Sequence, residues 1–303
     1  MTKPNISPDF PYQSHYVNVL GSQMHYIKEG EGDPILFLHE IPASSYVWRN
    51  IIPHLATLGS CIAPDLIGFG KSGKPDNIKY SITDHIHYID QLIDTLHLKN
   101  ILLVMHGWGS IIGFDYAMKN PDKCKGLVFY ESYLRPMTHE DLSLPYQEQI
   151  LSWQVENNVT DLIINGTHFI DKVLPQSIMR SLTATELNYY RDPFKMEGSS
   201  KPLIQYLNEL PNGSNENIAN KIITEYSEKL THSDLPKLML YSVPGFITTI
   251  STIMWAKQNL PNLEMVEVGE ELHYAQESNP ILMGETISIW LQGIERMKKE
   301  TSL

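Results

Sequence analysis

The 303-residue chain carries 23 lysines and arginines against 35 aspartates and glutamates, a formal charge of −12. That charge disfavours a nucleic-acid surface and an anionic membrane face, both of which need basic patches. With 42% hydrophobic residues the chain can bury a sizeable core, yet no uncharged apolar run approaches the roughly 18 residues of a membrane span.

Val17–Leu20 and Met24–Glu29 flank Gly21-Ser22 and read as an antiparallel hairpin. Pro34–Leu38 is a buried strand leading into His39-Glu40-Ile41-Pro42, and Ser44-Ser45 can cap a helix carrying Trp48, Ile51, Ile52 and Leu55. Cys61–Pro64 is a short strand before the glycine-rich loop Asp65–Gly70. Thr83 or Ser81 opens a helix with Ile86, Ile89, Ile93 and Leu96 at helical spacing. The next stretch, Ile101–Gly113, holds an apolar run that stops at His106-Gly107-Trp108-Gly109-Ser110 and resumes with helical spacing up to Pro121. A buried parallel strand turning sharply into a helix has this pattern, and Gly107 stands at the tip of the bend.

Gly126–Glu131 is the following strand. Residues 137–230 show helical periodicity and a capping box at Thr183–Glu186, with few strand signals. Strands return at Leu238–Val243 and Leu263–Val268, and a long helix runs from Pro280 to about Lys298. Strand–helix alternation predicts an α/β fold with a mainly parallel sheet covered on both faces. Residues 1–136 and 231–303 are expected to form the core, and 137–230 a helical cap over the crevice at the strands' carboxyl ends. Cys61 and Cys124 lie on or beside predicted core elements, so free buried thiols are expected. No charged segment followed by an apolar one opens the chain, so no signal peptide and a cytoplasmic location are expected. Oligomeric state is not legible.

Taken in order, several segments resemble the haloalkane dehalogenases of the α/β-hydrolase superfamily, and the related sea pansy-type luciferase. They are Ser44-Ser45-Tyr46-Val47-Trp48-Arg49, Asp65 to Ser72, the elbow, Leu134-Arg135-Pro136 and His273-Tyr274-Ala275-Gln276-Glu277. The resemblance runs from about Tyr16 to Ile294. It implies an eight-stranded α/β-hydrolase fold, no metal or cofactor, and a small apolar substrate. It also implies a mechanism in which an elbow aspartate forms an alkyl ester that a histidine-activated water cleaves. The histidine corresponds to His273, its orienting acid to Glu131, and one leaving-group donor to the indole of Trp108. The strand ending Tyr241–Gly245 offers no alternative carboxylate.

Three positions depart from the family pattern. The nucleophilic aspartate is replaced by Gly107, the second halide donor, an asparagine, by Ile41, and the glycine before it by Glu40. Ser110 lies three residues past the tip, inside the helix, and cannot substitute. These coordinated changes read as divergence rather than a single inactivating substitution. Losing a triad nucleophile costs on the order of 10⁶ in rate, so no dehalogenase activity is expected. An inward Glu40 would lie beside the vacated space, raise the pKa of His273 and serve as base or electrostatic stabiliser. Glu270, by contrast, is expected to face solvent.

The leading expectation is therefore a catalyst without a covalent intermediate, in which His273 and Glu131 drive elimination, cyclisation, isomerisation or hydration. The alternatives are a non-catalytic binder of a small apolar ligand and a dehalogenase inactivated by substitution. Trp153, Phe169 and Leu174 are expected to shape the pocket.

Overall fold

A computed structural model describes residues 6–144, 147–148, 168–211 and 216–301. Eight strands form one sheet: β1 (Ser14–Val19), β2 (Ser22–Glu29), β3 (Pro34–Leu38), β4 (Ser60–Pro64), β5 (Ile101–Gly107), β6 (Cys124–Ser132), β7 (Lys237–Tyr241) and β8 (Leu263–Glu267). They lie in the order β1-β2-β4-β3-β5-β6-β7-β8. β1 and β2 form the antiparallel hairpin, β2 pairs antiparallel with β4, and the remaining pairs are parallel. The α/β reading of the sequence holds. Strands β3, β4, β5 and β6 are buried almost without interruption, as apolar strands covered on both faces must be.

The helices follow from local chemistry. α1 (Ile82–Thr95) starts at Ser81, which with Asp84 completes a capping box, and buries Ile82, Ile86, Ile89 and Ile93. α2 (Trp108–Lys119) follows the elbow and ends before Pro121. Between β6 and β7 come α3 (His168–Gln176), α4 (Ala184–Arg191), α5 (Lys201–Glu209) and α6 (Ile218–Leu230). The expected capping box of Thr183 and Glu186 opens α4. Beyond β7 follow α7 (Ile250–Asn259), the short α8 (Ala275–Ser278) and α9 (Pro280–Thr301). Among the described residues no helix is long and apolar enough to cross a membrane.

One element differs from expectation. The helix expected after Ser44-Ser45 is two short 3₁₀ turns, Ser45–Trp48 and Ile52–His54. Ser44 does cap the first, accepting from the Tyr46 N–H. Pro53 explains the break: it lacks an N–H and disfavours the α conformation at Ile52. Trp48, Ile51, Ile52 and Leu55 are buried nonetheless. Cys61 and Cys124 are buried free thiols.

Candidate active site

Parallel register sets the site. β3 pairs with β5 so that Leu38 faces Met105. Two residues further along each strand direction come Glu40 and Gly107, at the carboxyl ends of neighbouring strands. Gly107 has φ +51° and ψ −119°, a strained conformation costing a side-chain-bearing residue about 1–3 kcal/mol. A Cβ added at Gly107 would lie 1.8 Å from Glu40 Oε2 and 2.2 Å from its Cδ. The Glu40 carboxylate thus fills the volume just above the elbow. A glutamate is long enough to cross the spacing of about 4.8 Å between strands and arrive there.

Glu40 is fully buried, so its charge needs partners. Oε1 accepts from the backbone N–H of Ile41 at 2.7 Å and of Trp108 at 2.9 Å. These are the residue after the elbow tip and a residue of the loop after β3, the two places that build an oxyanion hole in an α/β-hydrolase. Oε2 lies 3.1 Å from His273 Nε2. His39 fixes the backbone here: its Nδ1 is 2.9 Å from the Glu40 carbonyl, and its Nε2 accepts from the Leu66 N–H at 2.9 Å. Nδ1 is therefore the donor. Burial, the largest influence on His39, pulls its pKa down and keeps the ring neutral.

Glu131 approaches from the other side of β5. Where β6 pairs with β5 the register runs His106 to Tyr130 and then Gly107 to Ser132, leaving Glu131 as an extra residue. Its φ is +46°. Such a bulge turns a side chain out of the pleat, here toward the carboxyl end of the sheet. Glu131 Oε2 lies 2.9 Å from His273 Nδ1 and accepts from the N–H groups of Phe246 (3.0 Å) and Ile247 (2.8 Å). Oε1 accepts from Thr248 N–H at 3.1 Å. The segment after β7 offers no carboxylate, in line with the sequence, but supplies three backbone donors to the one on β6.

His273 therefore stands between two buried carboxylates. Burial pulls the imidazole down, yet hydrogen bonds and charge from Glu131 and Glu40 outweigh it and carry the pKa up to about 9. At neutral pH the ring is an imidazolium donating from both nitrogens. Its backbone is also pinned, because His106 Nε2 donates to the His273 carbonyl at 2.8 Å and the Tyr130 hydroxyl donates to the Leu272 carbonyl. Glu277, four residues on, is held by Arg49, Arg180 and Tyr190, and Arg49 also bonds Glu186 at the start of α4. Sequence reasoning passed over His39, His106, Tyr130 and this ion cluster. The positions of His39 and His106, each directly before a site residue, were the available signal.

Trp108 is buried and its indole Nε1 has no hydrogen-bond partner among the described residues. Its ring meets Tyr206 edge-on, with centroids 5.1 Å apart. Ile41 is buried, contributing an apolar side chain and its N–H. Ser110 is structural: its hydroxyl donates to the Gly107 carbonyl at 2.6 Å and accepts from Tyr133 N–H. Glu270 is exposed, whereas Glu271 is buried against the Ser278 hydroxyl and burial raises its pKa. A small cavity of about 20 Å³ abuts the centre, lined by Ile41, Pro42, Phe169, Val173, Leu174, Ser177, Tyr206, Phe246, His273 and Tyr274. Phe169 and Leu174 line it as expected; Trp153 lies outside the described residues.

The sequence matches the alpha/beta hydrolase fold family over residues 33–280. It is 36% identical over 280 residues to a haloalkane dehalogenase of Mesorhizobium japonicum, covering 91% of this chain and 90% of the relative. The chain belongs to the haloalkane dehalogenase family of the α/β-hydrolase superfamily. A Sphingobium indicum haloalkane dehalogenase is 34% identical over 92% of this chain and 95% of its own. Among solved structures, haloalkane dehalogenase DbeA from Bradyrhizobium elkani superposes with a TM-score of 0.89 at 35% identity, covering 94% of this chain and 99% of DbeA. DatA from Agrobacterium tumefaciens gives 0.87 at 31% identity over 93% and 97% of the two chains. Within this family frame, position 107 is glycine and a glutamate from the neighbouring strand end occupies the space above it.

Proposed function

We propose that the protein is an enzyme acting on a small apolar molecule, with His273 as its proton-handling group and Glu131 as the residue that orients it. The observation that carries this reading is the His273–Glu131 pair: buried, joined at 2.9 Å, and presented to a cavity whose other walls are mostly apolar. A pocket that only stored a ligand would gain nothing from holding an imidazole between two carboxylates, and would bear their desolvation. The helices α3 and α5 supply Phe169, Val173, Leu174 and Tyr206 to that cavity, consistent with a cap over residues 137–230 on a core of 1–136 and 231–303. Net charge and free cysteines fit a cytoplasmic enzyme that binds neither nucleic acid nor membrane.

Small haloalkanes are the first substrates to test because the relatives named above are haloalkane dehalogenases, followed by short epoxides and esters. Product formation by the wild type is expected to fall at least 10³-fold in His273→Ala, in line with loss of a general acid–base. Turnover that survives His273→Ala unchanged would sink the proposal, as would a protein that binds these compounds and converts none of them.

A further inference from the structure

Resting on that reading, the geometry points to Glu40 as the nucleophile, a carboxylate supplied from the end of β3 in place of one on the elbow. The argument begins with where the atoms are. Glu40 Oε2 and Cδ lie within 2.2 Å of the Cβ position that any side chain at 107 would have to use, so position 107 and Glu40 compete for one volume. Gly107 is then the condition for Glu40 to enter, and the two substitutions form one change.

Orientation supports the same assignment. A carboxylate has about four acceptor positions. In Glu40 two N–H groups bind Oε1 and His273 binds Oε2, which among the described residues leaves one lone pair on Oε2 without a donor. Placing one oxygen in the pair of backbone donors leaves the other as the attacking atom. It also sets the carboxyl carbon where a later tetrahedral oxyanion would form on Oε1, already under two donors. A residue serving only as base would have no use for that placement.

The reaction balances as follows. Glu40 Oε2 attacks an electrophilic sp³ carbon of a small apolar substrate; its C–O bond forms as the bond to the leaving group breaks. The leaving group departs with the bonding pair as an anion, and the indole N–H of Trp108, which has no partner among the described residues, is its donor. Esterification removes the negative charge of Glu40 and with it one of the two influences that keep His273 protonated. His273 releases its proton and can now accept one from water, with Glu131 holding the resulting imidazolium. The hydroxide adds to Cδ of Glu40, the oxyanion on Oε1 is held by Ile41 and Trp108 N–H, and collapse expels the alkoxide, which takes the proton from His273. The carboxylic acid left on Glu40 passes its proton to His273, restoring the carboxylate and imidazolium, so the products are an alcohol, the leaving-group anion and the one proton that His273 released after esterification. Ile41 supplies no second anion donor, so good leaving groups such as bromide and iodide are favoured over chloride. This revises the non-covalent expectation drawn from position 107 alone.

Two measurements test it. First, His273→Phe is incubated with 1-bromobutane, 1-iodobutane and 1,2-epoxybutane and mapped by peptide mass spectrometry. The expected result is one butyl or hydroxybutyl adduct on Glu40. Second, a wild-type single turnover in ¹⁸O-water is expected to place ¹⁸O in the Glu40 carboxylate, leaving the alcohol oxygen unlabelled, and Glu40→Gln is expected to lose about 10⁶-fold in rate. His273-dependent turnover with no adduct on Glu40, and ¹⁸O in the alcohol alone, overturns the nucleophile and leaves the acid–base reading standing. Absence of both adduct and turnover overturns the two together.

Discussion

Gly107 and Glu40 share one space, so their substitutions must couple. In Gly107→Ala the new methyl meets Glu40 Oε2 at 1.8 Å, Cδ at 2.2 Å and Cγ at 2.8 Å, far inside van der Waals contact. The carboxylate must leave its two N–H donors and His273, or the elbow must move. Overpacking of this kind costs about 1–3 kcal/mol. The backbone at φ +51° adds about 1–3 kcal/mol for any non-glycine residue. Gly107→Ala alone should therefore destabilise by about 2–6 kcal/mol, the sum of those two ranges. With Glu40 already cut back to alanine only the backbone cost remains, so the double variant should be about 1–3 kcal/mol more stable than the single effects added together. Urea unfolding of the wild type, G107A, E40A and E40A/G107A gives that coupling directly. Additivity within about 0.5 kcal/mol would refute the claim that Glu40 occupies the elbow volume.

Further expectations concern charge. His273 has a folded pKa of about 9, above the ordinary value of 6.5, so its contribution is fully present below about pH 6.5 and is lost as pH rises through 9. Unfolding free energy should fall across that window by on the order of 3 kcal/mol, and His273→Gln should flatten the profile; a wild-type curve flat from pH 6.5 to 9 contradicts the arrangement. Glu131→Gln removes one of the two charges on His273, and the imidazole pKa read by NMR titration should drop toward its ordinary value. Arg49→Ala leaves the buried Glu277 and Glu186 with Arg180 as their remaining cation in the cluster, and should cost about 3–5 kcal/mol in urea unfolding. A loss below 1 kcal/mol there would mean the cluster is not holding the segment that follows His273.

Much of the fold was legible because its causes are local. Continuous apolar runs marked β3, β5 and β6; Ser81 or Thr83, and Thr183, marked helix starts through capping chemistry, the first resolved to Ser81; Pro121 marked a helix end. The single misreading, around Trp48 and Ile52, came from giving apolar spacing more weight than Pro53, whose missing N–H decides the backbone there. His273 and Glu131 were legible for a different reason: the surrounding motifs placed them by resemblance. Nothing local announces the bulge at Glu131 or the three N–H groups after β7 that receive its carboxylate.

The role of Glu40 lies at the edge of what a sequence can tell. Its identity is plain, and its nearness to His273 could be suspected, but which oxygen faces which donor depends on the β3–β5 register, a property of two segments more than sixty residues apart. Once Leu38 is set against Met105, the ends of the two strands are level, and a side chain one methylene longer than aspartate can serve the neighbour's position. That explains why the change at 107 is to glycine: alanine would already collide with the incoming carboxylate, and only glycine tolerates the elbow's backbone without strain. It also accounts for the charge of the site. Burial pulls His273 down while Glu131 and Glu40 both raise it, so the second buried carboxylate adds to what keeps the ring a cation until that charge is consumed. A centre whose base appears only after its nucleophile has reacted is ordered in time by electrostatics, and Glu40 is the residue whose charge sets the order.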